Sequence, residues 1–188
     1  MQNLITRQRV LSELTKALAE TLRIDEQSIR PDSSITRDLG GESLDFLDVN
    51  YRMEQAFGIR MARHFFLEHI EEIFGEGAAI DGDGRLTAAA ITLLQRRYGG
   101  TGMPDASGGL DMDEVPAFVT VQAVADVVTG ILDTLPEKCR CGAAAWRSGD
   151  GTHITCGGCG EAAAFTDGDE LIRQWLAAEA GDAGLKPV

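Results

Sequence analysis

The stretch "LGGESLDFLD", residues 39–48, places a serine between a glycine pair and a run with the spacing of an amphipathic helix. A helix that begins near Ser43 presents unpaired N–H groups and the positive end of its dipole there, which favours a phosphate. Gly40 and Gly41 leave room for another protein to approach the hydroxyl. No recognisable nucleophile motif contains the histidines His64, His69 and His153, and a serine without a base is a poor nucleophile. The pattern therefore favours a serine that another enzyme modifies.

Helical periodicity extends to both sides of this stretch. Apolar residues recur with helical spacing from Asn3 to Leu22, and a second helix is predicted from Ser43 or the next residue to Phe57, before Gly58. Further helices are predicted as a pair within residues 62–98, over 118–132 and over 169–180, while residues 99–116 are rich in glycine and predict a mobile loop. The chain is therefore predicted to be mainly α.

The sequence around Ser43 resembles the phosphopantetheine attachment region of acyl carrier proteins. The resemblance is carried by "DLGGESLDFLDVNYRMEQAFGIRM", in which Ser43 matches the modified serine, Leu44 the residue after it, and Phe57–Ile59 the helix end. The "DFLD" after Ser-Leu is similar to the specialised carriers for very long or modified acyl chains. "FVTVQAVADVV" resembles the last helix of the family, so residues 62–118 form a helical insertion relative to the short carriers.

This resemblance implies a four-helix bundle and a carrier function. Ser43 would receive 4′-phosphopantetheine from coenzyme A, and the thiol of that arm would hold an acyl group as a thioester, so the chain itself would not be an enzyme. The implied partners are a phosphopantetheinyl transferase and the acyl-loading, synthase or acyltransferase enzymes of specialised fatty-acid, lipid or polyketide-type biosynthesis. Such enzymes usually dock on the second helix, and the predicted docking residues are Glu42, Leu44, Asp45, Asp48 and Glu54.

Departures from the family pattern leave two alternatives open. Glu42 replaces the usual Asp before the serine, and Glu is a poorer N-cap. "LGGES" also resembles the Gly-Gly-x-Ser of peptidyl carrier domains, so carriage of an aminoacyl group is one alternative. The other is an unmodified adaptor that only binds proteins, in which Ser43 merely caps a helix, since serine is a favoured N-cap.

The cysteines Cys139, Cys141, Cys156 and Cys159 form a C-x-C pair and a C-x-x-C pair within 21 residues. Two close pairs joined by a short hairpin make a tetrahedral thiolate site for structural zinc, because each pair binds one side of the ion. The segment resembles a zinc ribbon, and the alternatives are reduced thiols without metal or redox pairs. The predicted domains are therefore an acyl-carrier-like helical domain, residues 1–135, and a zinc-ribbon-like domain with a C-terminal helix, residues 136–188.

Composition limits the partners further. The net charge of −13 argues against nucleic acid and against an anionic membrane surface. No apolar run is long enough to span a bilayer, and the start "MQNLITRQRVLSEL" lacks a signal-peptide core, so a cytoplasmic location is expected. "AIDGDGRLTAAA" has Ala79 and Ala90 at the first and twelfth positions of a calcium loop, so calcium is not predicted as a ligand.

Overall fold

The computed structural model describes residues 4–98, 109–179 and 181–186. Its helices are α1 (Arg7–Leu22), α2 (Ser43–Phe57), α3 (Phe66–Phe74), α4 (Ala88–Tyr98), α5 (Val121–Leu132) and α6 (Gly168–Glu179). Strands β1 (Trp146–Arg147) and β2 (Thr155–Cys156) form an antiparallel pair, and short 3-10 helices cover Glu26–Ser28 and Met112–Phe118. The predicted mainly α fold is confirmed.

Local signals set the ends of the first two helices. α1 begins at Arg7 rather than at Asn3, which lies outside the described residues, because Thr6 occupies the N-cap and accepts a hydrogen bond from the Arg9 N–H at 3.2 Å. α2 ends as predicted at Gly58, whose φ of 64° lies in the left-handed region that glycine adopts without strain.

The chain forms two compact units. Unit 1 takes in Met1–Met61 and Thr120–Gly168, and unit 2 takes in Ala62–Val119 and Asp169–Val188. The first segment of unit 2 nearly coincides with the predicted insertion, whereas the cysteine segment falls in unit 1. The two units cut across the division at residue 135, which stays a prediction.

Unit 1 is built on α1, which packs against α2 and α5. The buried face of α1 includes Leu14 and Leu18, which have no exposed surface, and Val49 of α2 and Val128 of α5 are buried as well. The Val121 N–H donates to the Ser33 oxygen at 3.0 Å, so the loop before α2 is fastened to the start of α5. Three of the four predicted bundle helices thus lie in unit 1, and the next helix along the chain, α3, belongs to unit 2.

Unit 2 has a hydrophobic core of its own. Phe66 and Ile70 of α3, Leu94 of α4, and Ile172 and Leu176 of α6 are all buried in one cluster. The rings of Phe66 and Trp175 lie 5.7 Å apart between centroids. Residues 99–108 of the predicted loop at 99–116 lie outside the described residues. The later part of the loop leads into the 3-10 helix that begins at Met112.

Candidate functional site

Ser43 is the first residue of α2 and its side chain is exposed. Glu42 occupies the N-cap position in extended conformation, and its N–H donates to the Asp45 carboxylate at 2.7 Å. In the adaptor alternative Ser43 is the N-cap of this helix, whereas in the structure the N-cap is Glu42. This position leaves the serine hydroxyl at the amino end of the helix, where the dipole favours an anionic phosphate.

The two glycine positions before Ser43 require glycine for different structural reasons. Gly40 has a φ of 73°, which other residues rarely adopt. A Cβ at Gly41 would lie 2.9 Å from Ile35 Cγ2 and 3.0 Å from the Ile35 oxygen, closer than side chains approach. Gly41 thus lets the loop pass against buried Ile35 and bring Ser43 to the surface.

Apolar side chains follow Ser43 along one face of α2. Leu44 is 76% exposed, Leu47 61% and Tyr51 56%, and the spacing of three and four residues puts them on the same side of the helix. Leu47 and Tyr51 were not among the predicted docking residues, since that prediction considered mainly the acidic residues. Their helical spacing from Leu44 was the signal in the sequence.

The predicted docking residues differ in their surroundings. Glu42 and Leu44 are exposed and Asp45 is half-buried. The Asp48 carboxylate accepts hydrogen bonds from Thr21 Oγ1 at 2.6 Å and Arg52 Nε at 2.8 Å, and these bonds hold its pKa below the usual range. The fifth predicted docking residue, Glu54, is only 9% exposed, and its carboxylate accepts the Met61 N–H at 2.8 Å. Its role in docking stays a prediction.

The four cysteine sulfurs converge in unit 1. The closest pairs join the two motifs: Cys139 and Cys159 lie 3.7 Å apart between Sγ atoms, and Cys141 and Cys156 lie 3.6 Å apart. All four Sγ atoms lie within 4.8 Å of one another. With Zn–S bonds of about 2.3 Å, a tetrahedral site has sulfur-to-sulfur edges of roughly 3.8 Å, so the four cysteines fit such an ion.

The backbone of the second cysteine motif donates hydrogen bonds to Cys156. The N–H groups of Cys159 and Gly158 point at its sulfur and lower the pKa of that thiol to about 6, while burial and the other three sulfurs raise the pKa of Cys139 to about 12. A Cβ at Gly157 would lie 2.9 Å from the Ala145 oxygen, so this turn requires glycine for its close approach to the facing chain. Next to β1 and β2, an isolated antiparallel bridge joins Thr155 and Ala162.

His153 lies on the cysteine hairpin but is not part of the sulfur cluster. Its Nδ1 is 3.1 Å from Asp150 Oδ2, and its Nε2 is 3.1 Å from the Gln55 oxygen at the end of α2. Of the described residues, no helix is long and apolar enough to cross a membrane.

Comparison with known proteins places these residues in a family context. Residues 12–71, which contain Ser43, match a family model described as "Phosphopantetheine attachment site". The acyl carrier protein AcpXL of Brucella melitensis is 40% identical over 55 residues, which is 29% of this chain and 59% of the relative. AcpXL of Rhizobium meliloti is 38% identical over 55 residues, 29% of this chain and 58% of the relative.

The chain thus spans less than two thirds of the AcpXL relatives that it matches. It covers more of the acyl carrier protein of Rubrobacter xylanophilus, to which it is 31% identical over 55 residues, 29% of this chain and 68% of that protein. No solved structure gives a significant match. The family match ends at residue 71, before the cysteine segment. With its phosphopantetheine attachment domain over residues 12–71, the chain belongs to the acyl carrier protein family.

Proposed function

We propose that Ser43 carries a 4′-phosphopantetheine arm whose thiol holds an acyl group as a thioester. The observation that carries the proposal is the exposed Ser43 hydroxyl at the first turn of α2, inside the family match. In the loading step, Ser43 Oγ attacks the phosphorus that bears the pantetheine arm in coenzyme A. The bond to the nucleotide breaks, 3′,5′-ADP leaves, and the serine proton passes to a base of the transferase. The chain supplies the acceptor and no catalytic group.

Partner enzymes dock on the exposed side of α2 under this proposal. Leu44, Leu47 and Tyr51 offer apolar surface to an enzyme that reaches for the arm. Glu42 and Asp45 add negative charge beside the attachment point, which suits a basic rim on the partner. The partners are then the transferase itself and the enzymes that load, extend or transfer the acyl chain.

The cargo that the sequence favours is a long or modified acyl chain of specialised fatty-acid or lipid biosynthesis, in the cytoplasm. The "DFLD" motif after Ser43 supports this choice over a polyketide-type chain, and the likeness to acyl carrier proteins supports an acyl cargo. An aminoacyl cargo is the second candidate, because "LGGES" also resembles peptidyl carriers. Offering the loaded chain to an acyl-activating and to an aminoacyl-activating enzyme distinguishes the two.

The cysteine segment, in this proposal, holds one structural zinc ion through Cys139, Cys141, Cys156 and Cys159. Sulfur-to-sulfur distances of 3.6 and 3.7 Å support it, as does the absence of any disulfide among the four. Four thiolates leave no open position on the ion, so its role is to hold the hairpin rather than to catalyse. The hairpin is part of the zinc-ribbon-like domain predicted over residues 136–188. We assign this domain a role in partner docking or in stability.

The proposed carrier function is tested by incubating the full chain with coenzyme A and a phosphopantetheinyl transferase and then measuring its intact mass. We expect one phosphopantetheinyl group on the wild type and none on Ser43→Ala. Ser28→Ala is the matched control, because Ser28 is also an exposed serine of a helical segment, and it should be loaded normally. No mass gain with several transferases, together with partner binding that survives Ser43→Ala, would replace the carrier with the adaptor.

A further inference from the structure

Two histidines and one aspartate of unit 2 lie close together, and none of them belongs to the Ser43 site or to the cysteine site. His64 lies just before α3, His69 on α3, and Asp169 in the first turn of α6. The Asp169 Oδ1 atom is 2.9 Å from His69 Nε2 and 3.5 Å from His64 Nδ1. One potential ligand atom from each residue lies within 4.8 Å of the others.

The ring of His69 has carboxylates at both nitrogens. The residue has no exposed surface, and while Nε2 faces Asp169, Nδ1 lies 3.5 Å from Glu72 Oε2. Nδ1 forms no hydrogen bond with any part of the chain that the structure describes. A neutral imidazole carries one N–H, so in that state one nitrogen would turn its lone pair toward a carboxylate. For both ring nitrogens to face a carboxylate favourably, the ring must hold a second positively charged group, either another proton or a metal ion.

Asp169 is held as a ligand would be. The backbone N–H groups of Arg63 and His64 donate to its carboxylate at 3.0 and 3.1 Å. Although partial burial raises its pKa, these donors and the His69 ring outweigh that effect and leave it below the usual value. A carboxylate that is ionised and fixed by backbone donors is pre-oriented for a cation.

We propose that His64, His69 and Asp169 bind one divalent transition-metal ion through two imidazole nitrogens and a carboxylate oxygen. The ion takes the place of the proton on His69 Nε2, and the Nδ1–H of the same ring then faces Glu72, as in the carboxylate–histidine–metal arrangement. Glu72 is itself close to Arg173, with 3.4 Å between Oε2 and Nη2, which helps to hold it in place. Nitrogen and oxygen ligands of this kind suit zinc.

The two distances that meet at Asp169 Oδ1 are compatible with such an ion after a small shift, and the two imidazole nitrogens lie within 4.8 Å of each other. A tetrahedral site with bonds of about 2.0–2.1 Å has ligand-to-ligand edges of roughly 3.3–3.4 Å. The two edges that meet at Asp169 Oδ1 are 2.9 and 3.5 Å, so the first opens by about half an ångström and the second closes slightly. The side chain of His64 is 60% exposed, which leaves the fourth position open to water.

Native mass spectrometry of the full chain with added zinc tests the proposal. We expect two zinc ions per wild-type chain, the first in the cysteine site and the second in this one. His64→Ala should keep one ion and weaken the second by at least about 100-fold, since loss of a direct ligand exceeds the 10–100-fold cost of losing an outer partner. His64 is exposed, so this variant should stay folded. His153→Ala is the matched control and should keep both ions.

Imidazole NMR signals give a readout that depends on neither fold stability nor carrier activity. The second equivalent of zinc should shift the ring nitrogens of His64 and His69 and leave those of His153 in place. One ion in the wild type with unchanged ring signals of His64 and His69, or a second ion that His64→Ala retains, would overturn the proposal and leave Asp169 as a hydrogen-bonding partner only. Loading of Ser43 is expected to be the same in all these variants, so the carrier proposal stands or fails separately.

Discussion

The ring nitrogen Nε2 of His153 lies 3.1 Å from the main-chain oxygen of Gln55. Gln55 belongs to the last turn of α2, where carbonyl groups lack a partner within the helix. The cysteine hairpin thus supplies a donor to the end of the helix that begins with Ser43, within one compact unit. We expect order in the hairpin and order at the end of α2 to be coupled through this contact.

If the cysteine segment holds the zinc ion proposed for it, removal of that ion should loosen α2 from its carboxyl end. Structural zinc contributes directly to folding, so a chelator should disorder the hairpin, lower the melting temperature and speed amide exchange in the last turn around Gln55. Hydrogen exchange of the full chain with and without zinc measures this. In His153→Ala the last turn should exchange quickly in both states, while the cysteine site still binds its ion. Unchanged exchange in α2 after metal removal would show that the contact does not couple the two.

Gly41→Ala should destabilise the chain. The added methyl would lie 2.9 Å from Ile35 Cγ2, and the buried Ile35 cannot move without disturbing its neighbours, so we expect a loss of about 1–3 kcal/mol. Gly149→Ala is the control, because its Cβ would meet no atom of the described residues within 4 Å. Denaturant unfolding compares the two variants. Equal stabilities would mean that the loop before Ser43 relaxes more easily than its packing suggests.

Local chemistry explains which features the sequence predicts. The end of α2 at Gly58 depends on a few neighbouring residues, and the sequence predicts it. The close spacing of the cysteines likewise indicates that their sulfurs converge, while the zinc ion stays a proposal. The surroundings of Glu54 depend on the chain that returns after α2 and brings the Met61 N–H to its carboxylate. His69 and Asp169 are one hundred residues apart, and only the packing of unit 2 brings them together.

Leu47→Glu should weaken docking without weakening the fold. Leu47 is 61% exposed between Leu44 and Tyr51, so a charge there disrupts an apolar contact with a partner but changes stability by no more than about 0.5 kcal/mol. We expect a lower kcat/KM for loading of Ser43 by the transferase, mostly through KM. Normal loading would show that this face is not used by that enzyme.

Glu54→Ala should show the opposite behaviour. Removing the buried carboxylate leaves the Met61 N–H without its 2.8 Å acceptor, which typically costs about 1–3 kcal/mol. Glu26→Ala, at an exposed position outside α2, is the control and should cost far less. Urea unfolding measures stability and the transferase assay measures docking. A stable Glu54→Ala chain that loads poorly would support Glu54 as a docking residue.

Asp48 should make stability depend on pH at the acidic end. The Thr21 hydroxyl and then the Arg52 guanidinium lower the pKa of Asp48 in the folded chain, so its contribution is present above the unfolded value of about 4 and is lost as the pH falls toward the folded value. Asp48→Asn should melt below the wild type at pH 7, and the difference should shrink below about pH 4.

Thr21→Val tests the cause of this effect. It removes the 2.6 Å hydrogen bond to Asp48 but leaves the charge, so the acid-dependent loss of stability should become smaller than in the wild type. Melting curves of the three chains between pH 3 and 7 provide the comparison, and any loss of zinc at low pH affects all three alike. Parallel curves for Asp48→Asn and the wild type would show that the carboxylate charge contributes nothing to the contact between α1 and α2.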